Sequence, residues 1–419
     1  MLTSLFLVAA PLAAALPPYV VDTHVVSNER RDLPVVNALA ENPVDSSYIA
    51  VFNSTFSSDA IDSRVSAMSA MLKKRNLHKR DLNGNPLSTE VHRVTMGNWS
   101  CAHFHGDEAT VREVNSADEV QYVEMDTWFK TTDAIMQTNA PPGLNRISHS
   151  QRGQAGYIFD EAAGQGITTY VVDTGCRTTH TEFEGRAVMA ANFVNNVNTD
   201  ENGHGSHVSG TVAGATFGVA KKSNVKCVKV LGADGSGQNS GILQGMQFVV
   251  QDVKKNGLQN KCVMNMSLGG GFSSALNSAV NAVVTEAGCF AAVAAGNEKQ
   301  DASNTSPASA QNACTVGAVD NNDAAASFSN FGAPVKINGP GVKVTSVGIA
   351  DDTAVKVLSG TSMASPHIAG LGAYLMSITN TTGPEMCNTI LDLARRTGAQ
   401  AKGFPARTST LIANNGNLS

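Results

Sequence analysis

Three short segments of this chain carry residue types that together can perform nucleophilic acyl transfer. Tyr170-Val171-Val172-Asp173-Thr174-Gly175 is an apolar run ending in a carboxylate. Asn202-Gly203-His204-Gly205-Ser206-His207-Val208 is a glycine-rich turn opening a helical pattern, and Ser359-Gly360-Thr361-Ser362-Met363-Ala364-Ser365-Pro366-His367 is a second. A hydroxyl nucleophile needs an imidazole to take its proton and a carboxylate to hold that imidazole in one tautomer. Ser362 at a helix start would expose its Oγ beside backbone N–H groups able to hold an oxyanion. Asp173 at a strand end is rigid, and His204 at a helix start can face both. Each segment alone has an ordinary reading, because Asp forms turns and His can cap a helix. All three in the order Asp…His…Ser favour acyl transfer.

The elements that would position these groups alternate in period. Strand-like apolar runs cover 167–173, 225–231, 262–268, 289–294 and 314–319, and helix-like segments cover 204–213, 240–255, 274–286 and 362–377. Apolar strands alternating with helices predict an α/β fold whose parallel sheet is covered on both faces. In such sheets catalytic groups collect at the carboxyl ends of strands. Earlier in the chain, 48–52, 91–96 and 120–123 read as strands, and 59–74 as a helix with Ile61, Val65, Met68 and Leu72 at helical spacing. A small α+β domain over about 46–126 fits, followed by a connector over 127–136.

The 419 residues hold 30 basic and 35 acidic side chains, a net charge of −5, and a pI near 6.1 with no basic block argues against nucleic-acid binding. Of these, 11 basic and 17 acidic residues precede Ala134, together with both tryptophans, Trp99 and Trp128. The remainder is nearly neutral, so the chain reads as two pieces. Residues 2–16 are apolar and end in Ala13-Ala14-Ala15, which fits a secretory signal and is too short to span a bilayer. No later run reaches the roughly 18 apolar residues of a membrane span.

Seven cysteines occur without metal-ligand spacing, so zinc is not expected. Cys227, Cys262 and Cys289 sit in strand-like runs, where a buried free thiol is the simple expectation. An approach of Cys176 to Cys227 on neighbouring strands is left open.

The segments around Asp173, His204 and Ser362 resemble those of the subtilisin-like serine proteases, in the proteinase K-like branch of fungal type. The resemblance runs from Gln137 to about Asn415, through Gln137-Thr138-Asn139-Ala140-Pro141 and residues 205–210, 267–271 and 360–367. It implies a three-layer fold around a mostly parallel central sheet, preceded by a small α+β propeptide domain, and a serine endopeptidase acting on polypeptides. By it Ser362 is the nucleophile, His204 the general base and acid, Asp173 the orienting carboxylate, and Asn297 the oxyanion donor beside the Ser362 N–H. His207 and His367 are packing residues. Gly235, Ser236 and Gly237 on one edge, and Ser267, Leu268 and Gly269 on the other, would hold an extended peptide as an added strand. Ala294, Ala295 and Gly296 would wall the primary pocket, opposite 267–269. These walls are small and apolar, with no carboxylate for a basic side chain. Thr305 at the pocket base and Asn239 near the outer subsites stand where proteinase K has aromatic residues. Broad specificity with an apolar or aromatic preference is expected.

The resemblance also implies no cofactor for the chemistry, but a structural calcium ion. Its main carboxylate position, in 334–340, is taken by Lys336, and an ammonium cannot ligate Ca²⁺. The weaker second site has Gly398. The main site is therefore expected to be lost. Cys314 and Cys387 match a family disulfide, whereas Thr168 and Leu258 occupy the positions of another. The expected organisation is a signal peptide over 1–15, an inhibitory propeptide over 16–133 and a peptidase domain over 134–419, cut after Asp133 or Ala134. Partners would be polypeptide substrates and the chain's own propeptide as intramolecular inhibitor, with no nucleic acid and no membrane. A secreted, extracellular monomer is expected, with vacuolar retention the second location. Sequons occur at Asn53, Asn98, Asn265, Asn304, Asn380 and Asn417, of which Asn380 is the best placed in the peptidase part. Two rivals use the same residues. An esterase would share the triad, although this chain order and Gly360-Thr361-Ser362-Met363-Ala364 differ from the α/β-hydrolase pattern. A catalytically inactive binding homologue is the other, and the intact triad and Asn297 speak against it.

Overall fold

Thr168–Asp173, Cys262–Met266, Phe290–Ala294 and Cys314–Val319 are buried along their whole length, as strands must be when helices cover both faces of a sheet. The computed structural model describes residues 35–36, 43–80, 86–127 and 134–417. The expected signal peptide, Trp128 and Asp133 lie outside the described residues. The chain divides after Thr131 into two compact units.

The first unit contains β1 (Pro43–Phe52), α1 (Ser58–Arg75), β2 (His92–Met96), β3 (Trp99–His105), α2 (Glu108–Asn115) and β4 (Val120–Thr127). The strands form an antiparallel sheet in the order β2-β3-β1-β4. Ser57 Oγ accepts from Ala60 N at the start of α1, and Asp107 accepts from Thr110 N at the start of α2. Ile61, Met68 and Leu72 then pack with Ala50, Phe52 and Phe104 in one core.

The second unit runs β5 (Ala134–Gln137), α3 (Pro142–Ile147), β6 (Tyr157–Asp160), β7 (Thr168–Asp173), β8 (Ala187–Asn192), α4 (His204–Ala213), β9 (Asn224–Lys229) and α5 (Asn239–Lys255). It continues with β10 (Cys262–Met266), β11 (Gly270–Gly271), α6 (Ser274–Ala287), β12 (Phe290–Ala294), β13 (Thr305–Ser306), β14 (Cys314–Val319) and β15 (Val335–Pro340). The hairpin β16 (Val344–Val347) and β17 (Val355–Leu358) leads to α7 (Thr361–Ile378) and α8 (Gly383–Thr397). Seven strands form one parallel sheet, in the order β15-β14-β12-β10-β7-β9-β8. Successive side chains of a strand point to opposite faces, so β7 feeds two cores. Val171, with Val263 and Ala292, meets Val208, Ile368 and Leu371 from α4 and α7. Tyr170 and Val172 meet Ile242 and Met246 from α5 and Val280 from α6. Each fully buried side chain of this size contributes roughly 1.5–3 kcal/mol.

Two expectations are corrected. Residues 134–136, read as connector, form with Gln137 a strand that pairs antiparallel with β6. Cys227, Cys262 and Cys289 are not free thiols. Cys176 is bonded to Cys227 (Cα–Cα 6.0 Å) and Cys262 to Cys289 (4.7 Å), beside Cys314 to Cys387 (5.6 Å). Strand order is the reason. Val171 lies opposite Cys227 across β7 and β9, which brings the residues after β7 near it. Val263 lies opposite Phe290, which sets Cys262 beside Cys289. Among the described residues only Cys101 is free, and it is buried.

Candidate active site

Asp173 ends β7, His204 begins α4 and Ser362 lies in the first turn of α7. Asp173 is fully buried, and its Oδ1 accepts from Thr174 N at 2.7 Å and from His204 Nδ1 at 2.8 Å. That second bond fixes the tautomer and leaves Nε2 as the basic nitrogen. Gly203, at φ 97°, turns the chain into α4 through the left-handed region that glycine tolerates. Burial by itself lowers the proton affinity of His204. The Asp173 charge and hydrogen bond, with the charge of Asp200, outweigh it and hold the imidazole above its ordinary value of 6.5.

The start of α7 is shaped by a proline. Pro366 has no N–H, so the Ser362 carbonyl four residues earlier lacks its helical donor. Ser267 Oγ supplies one at 2.8 Å, and Ser362 Oγ donates back to Ser267 O at 3.1 Å. The nucleophile's turn is thereby tied to the end of β10. Thr361 ties it to the end of β12. Its Oγ1 accepts from Gly296 N at 3.1 Å, while its N and Oγ1 donate to Asn297 Oδ1 at 2.8 and 3.0 Å. With Oδ1 so engaged, Nδ2 is the end of Asn297 left for an anionic oxygen.

His204, Ser362 and Asn297 line one cleft of about 600 Å³. The same cleft is lined by Gly235, Ser236, Gly237, Ser267, Leu268, Gly269, Ala294, Ala295 and Gly296, and also by Thr305 and Asn239. His207 and His367 are buried within helices, where desolvation pushes both down to about 4. Their rings bond to the carbonyls of Val344 and Met363.

One expectation about the pocket walls does not hold. Glu298 lines the cleft, its Oε2 accepting from Asn330 Nδ2 at 2.8 Å and lying 2.6 Å from where a side chain on Gly296 would begin. Gly296, at φ 106° after β12, leaves room for the carboxylate, and Asn330 holds it there. Sequence reading also passed over Asp200, which carries no local signal of its role, because the N-cap of α4 is Gly203 and Asp200 reaches the helix start only through the turn between them.

Residues 164–408 match the model of the subtilase family. The chain is 48% identical over 311 residues to the subtilisin-like serine protease Pen ch 13 of Penicillium rubens, covering 74% of this chain and 77% of that one. It is 42% identical over 378 residues to subtilisin-like protease 9 of Arthroderma benhamiae, covering 89% of this chain and 92% of that one. Among solved structures it is similar to a cold adapted subtilisin-like serine proteinase, with TM-score 0.57 and 38% identity over 67% of this chain and 99% of the other.

Proposed function

The chain belongs to the subtilase family and is a serine endopeptidase, and on that premise we propose that Ser362, His204 and Asp173 carry its chemistry with Asn297. His204 Nε2 takes the Ser362 proton as Oγ adds to the substrate carbonyl carbon. Asn297 Nδ2 and the Ser362 N–H hold the oxyanion. His204 then protonates the leaving amine, giving an acyl-enzyme on Ser362. Water deprotonated by His204 releases the acid and restores the hydroxyl. Asp173 stays ionised throughout and stabilises the imidazolium. The observation that carries this reading is the 2.8 Å bond from His204 to buried Asp173 behind a cleft that Ser362 and Asn297 also line. A fluorophosphonate probe tests it: peptide mapping should find the adduct on Ser362 of the wild type and none on Ser362→Ala.

The cleft suits an extended polypeptide lying along glycine-rich edges, which gives broad specificity. Small walls favour apolar and aromatic side chains, and Glu298 extends acceptance to basic ones. The first unit acts as an intramolecular inhibitor, removed by self-cleavage near Ala134. The product is a secreted monomer, with Asn380, exposed after α7, as a glycan acceptor. A calcium ion does not fit the family's main position, because Lys336 projects exposed from β15 and offers no oxygen donor.

A further inference from the structure

Asp200 is a second buried carboxylate beside the first, only 5% exposed. Five donors converge on it. Oδ1 accepts from Thr174 Oγ1 (2.8 Å), Asn202 N (3.0 Å) and Gly203 N (2.8 Å), and Oδ2 from Ser206 N (2.9 Å) and Ser206 Oγ (2.6 Å). Thr174 directly follows Asp173, and its hydroxyl also accepts from Gly205 N at 2.8 Å. Gly203 and Gly205 flank His204. One carboxylate therefore grips both the strand end that holds Asp173 and the helix start that holds His204.

Packing alone does not require a charge here. An ionised group costs several kcal/mol to bury unless its partners compensate, and the compensating partners are the hydroxyls and backbone N–H groups of residues next to Asp173 and His204 in the chain. The positive end of α4 compensates further. The charged and titratable groups around the site are Asp173 from β7, Lys229 from β9, Glu201 in the same loop and His207 on α4. Lys229 is itself buried, donating to Thr174 O at 2.8 Å with Glu201 at 3.5 Å.

We propose that Asp200 is a positioning residue of the catalytic machinery, locking Asp173 and His204 into their mutual geometry through Thr174 and the first turn of α4, and adding negative charge that favours the imidazolium formed in the transition state. This rests on the triad reading above. Two effects are separable. The lock runs through the Thr174 hydroxyl and the charge does not.

The test compares Asp200→Asn, Thr174→Val, Thr174→Ser and Ser362→Ala, each made in the full chain and assayed for kcat, KM and pH profile on one peptide. Asp200→Asn should lower kcat at least tenfold with KM within twofold, and move the acid limb of kcat/KM to lower pH. Thr174→Val should lower kcat with the acid limb unmoved, and Thr174→Ser should restore it. Asp200→Asn with wild-type kcat and an unmoved limb overturns the proposal. If that variant does not fold, wild-type kcat in Thr174→Val overturns it alone. Hydrolysis retained by Ser362→Ala would instead overturn the triad reading beneath it.

Discussion

His204 Nδ1 donates to Asp173 Oδ1 over 2.8 Å, from an imidazole 25% exposed to a carboxylate with no exposure at all. The charge of Asp173 is therefore directed into one ring. Because His204 acts as base only when neutral, and its affinity for a proton is held above the ordinary 6.5, kcat/KM should rise with pH through an apparent pKa above that value. Asp173→Asn should move this limb down and lower kcat about 10⁴-fold, the magnitude found on removing this carboxylate from other triads. An acid limb below 6.5 in the wild type would contradict the geometry.

Asn297 is held by its Oδ1, which leaves its Nδ2 for the oxyanion in the proposed mechanism. Asn297→Ala should lower kcat roughly 10²–10³-fold with KM nearly unchanged, because the oxyanion exists only after attack. A variant that loses affinity and keeps kcat would place Asn297 in ground-state binding.

The acid side of the stability curve has named contributors. His207 and His367 are neutral in the fold, with values near 4 against 6.5 when exposed. A depressed value means that the unfolded chain binds protons more readily. Their stabilisation is complete above 6.5 and is lost as pH falls from there through 4. The thermal midpoint of Ser362→Ala, which cannot digest itself, should fall over that window. Adding His367→Gln should remove about one proton from the slope, and an identical slope would exclude His367.

The parts of the fold that were legible in the sequence are those where local pattern and burial agree. The strand Cys314–Val319 and the helix His204–Ala213 lie where apolar runs and glycine-rich turns mark them. Residues 99–105 show no clear alternation, because Trp99 and the histidines sit on the outer side of Ala102 and Phe104, and the strand exists through its two neighbours. Residues 134–137 become a strand only by pairing with Tyr157–Asp160. Cys262 and Cys289 required the order of strands in the sheet, which no local pattern carries. In the site, Asp173, His204, Ser362 and Asn297 were legible from motifs. Glu298 was not, since its approach to the cleft depends on the bare Gly296 and on Asn330, distant in sequence.

Glu298 should shape selectivity at the residue preceding the cleaved bond. Replacing it with Gln should lower kcat/KM for Lys or Arg there several-fold, and leave Leu and Phe substrates within twofold. Equal effects on all four would mean that Glu298 only supports Asn330.

Lys336 leads to a test by metal removal. With Lys336 in the position proposed for the family's carboxylate, treatment of the enzyme with a calcium chelator should leave its thermal midpoint unchanged. Lys336→Asp should create a calcium-dependent midpoint. A large drop for the chelated wild type would show that calcium is held despite Lys336.

The central claim is that Ser362 is the nucleophile of a self-processing endopeptidase. Its most direct test is to express the wild type and Ser362→Ala as full chains, and to follow intact mass together with hydrolysis of a peptide substrate. The wild type should shed its first unit by a cut near residue 134 and cleave the peptide. Ser362→Ala should keep its first unit, uncut near residue 134, and cleave nothing. A Ser362→Ala chain that is cut at the same place and hydrolyses the same peptide would contradict the account.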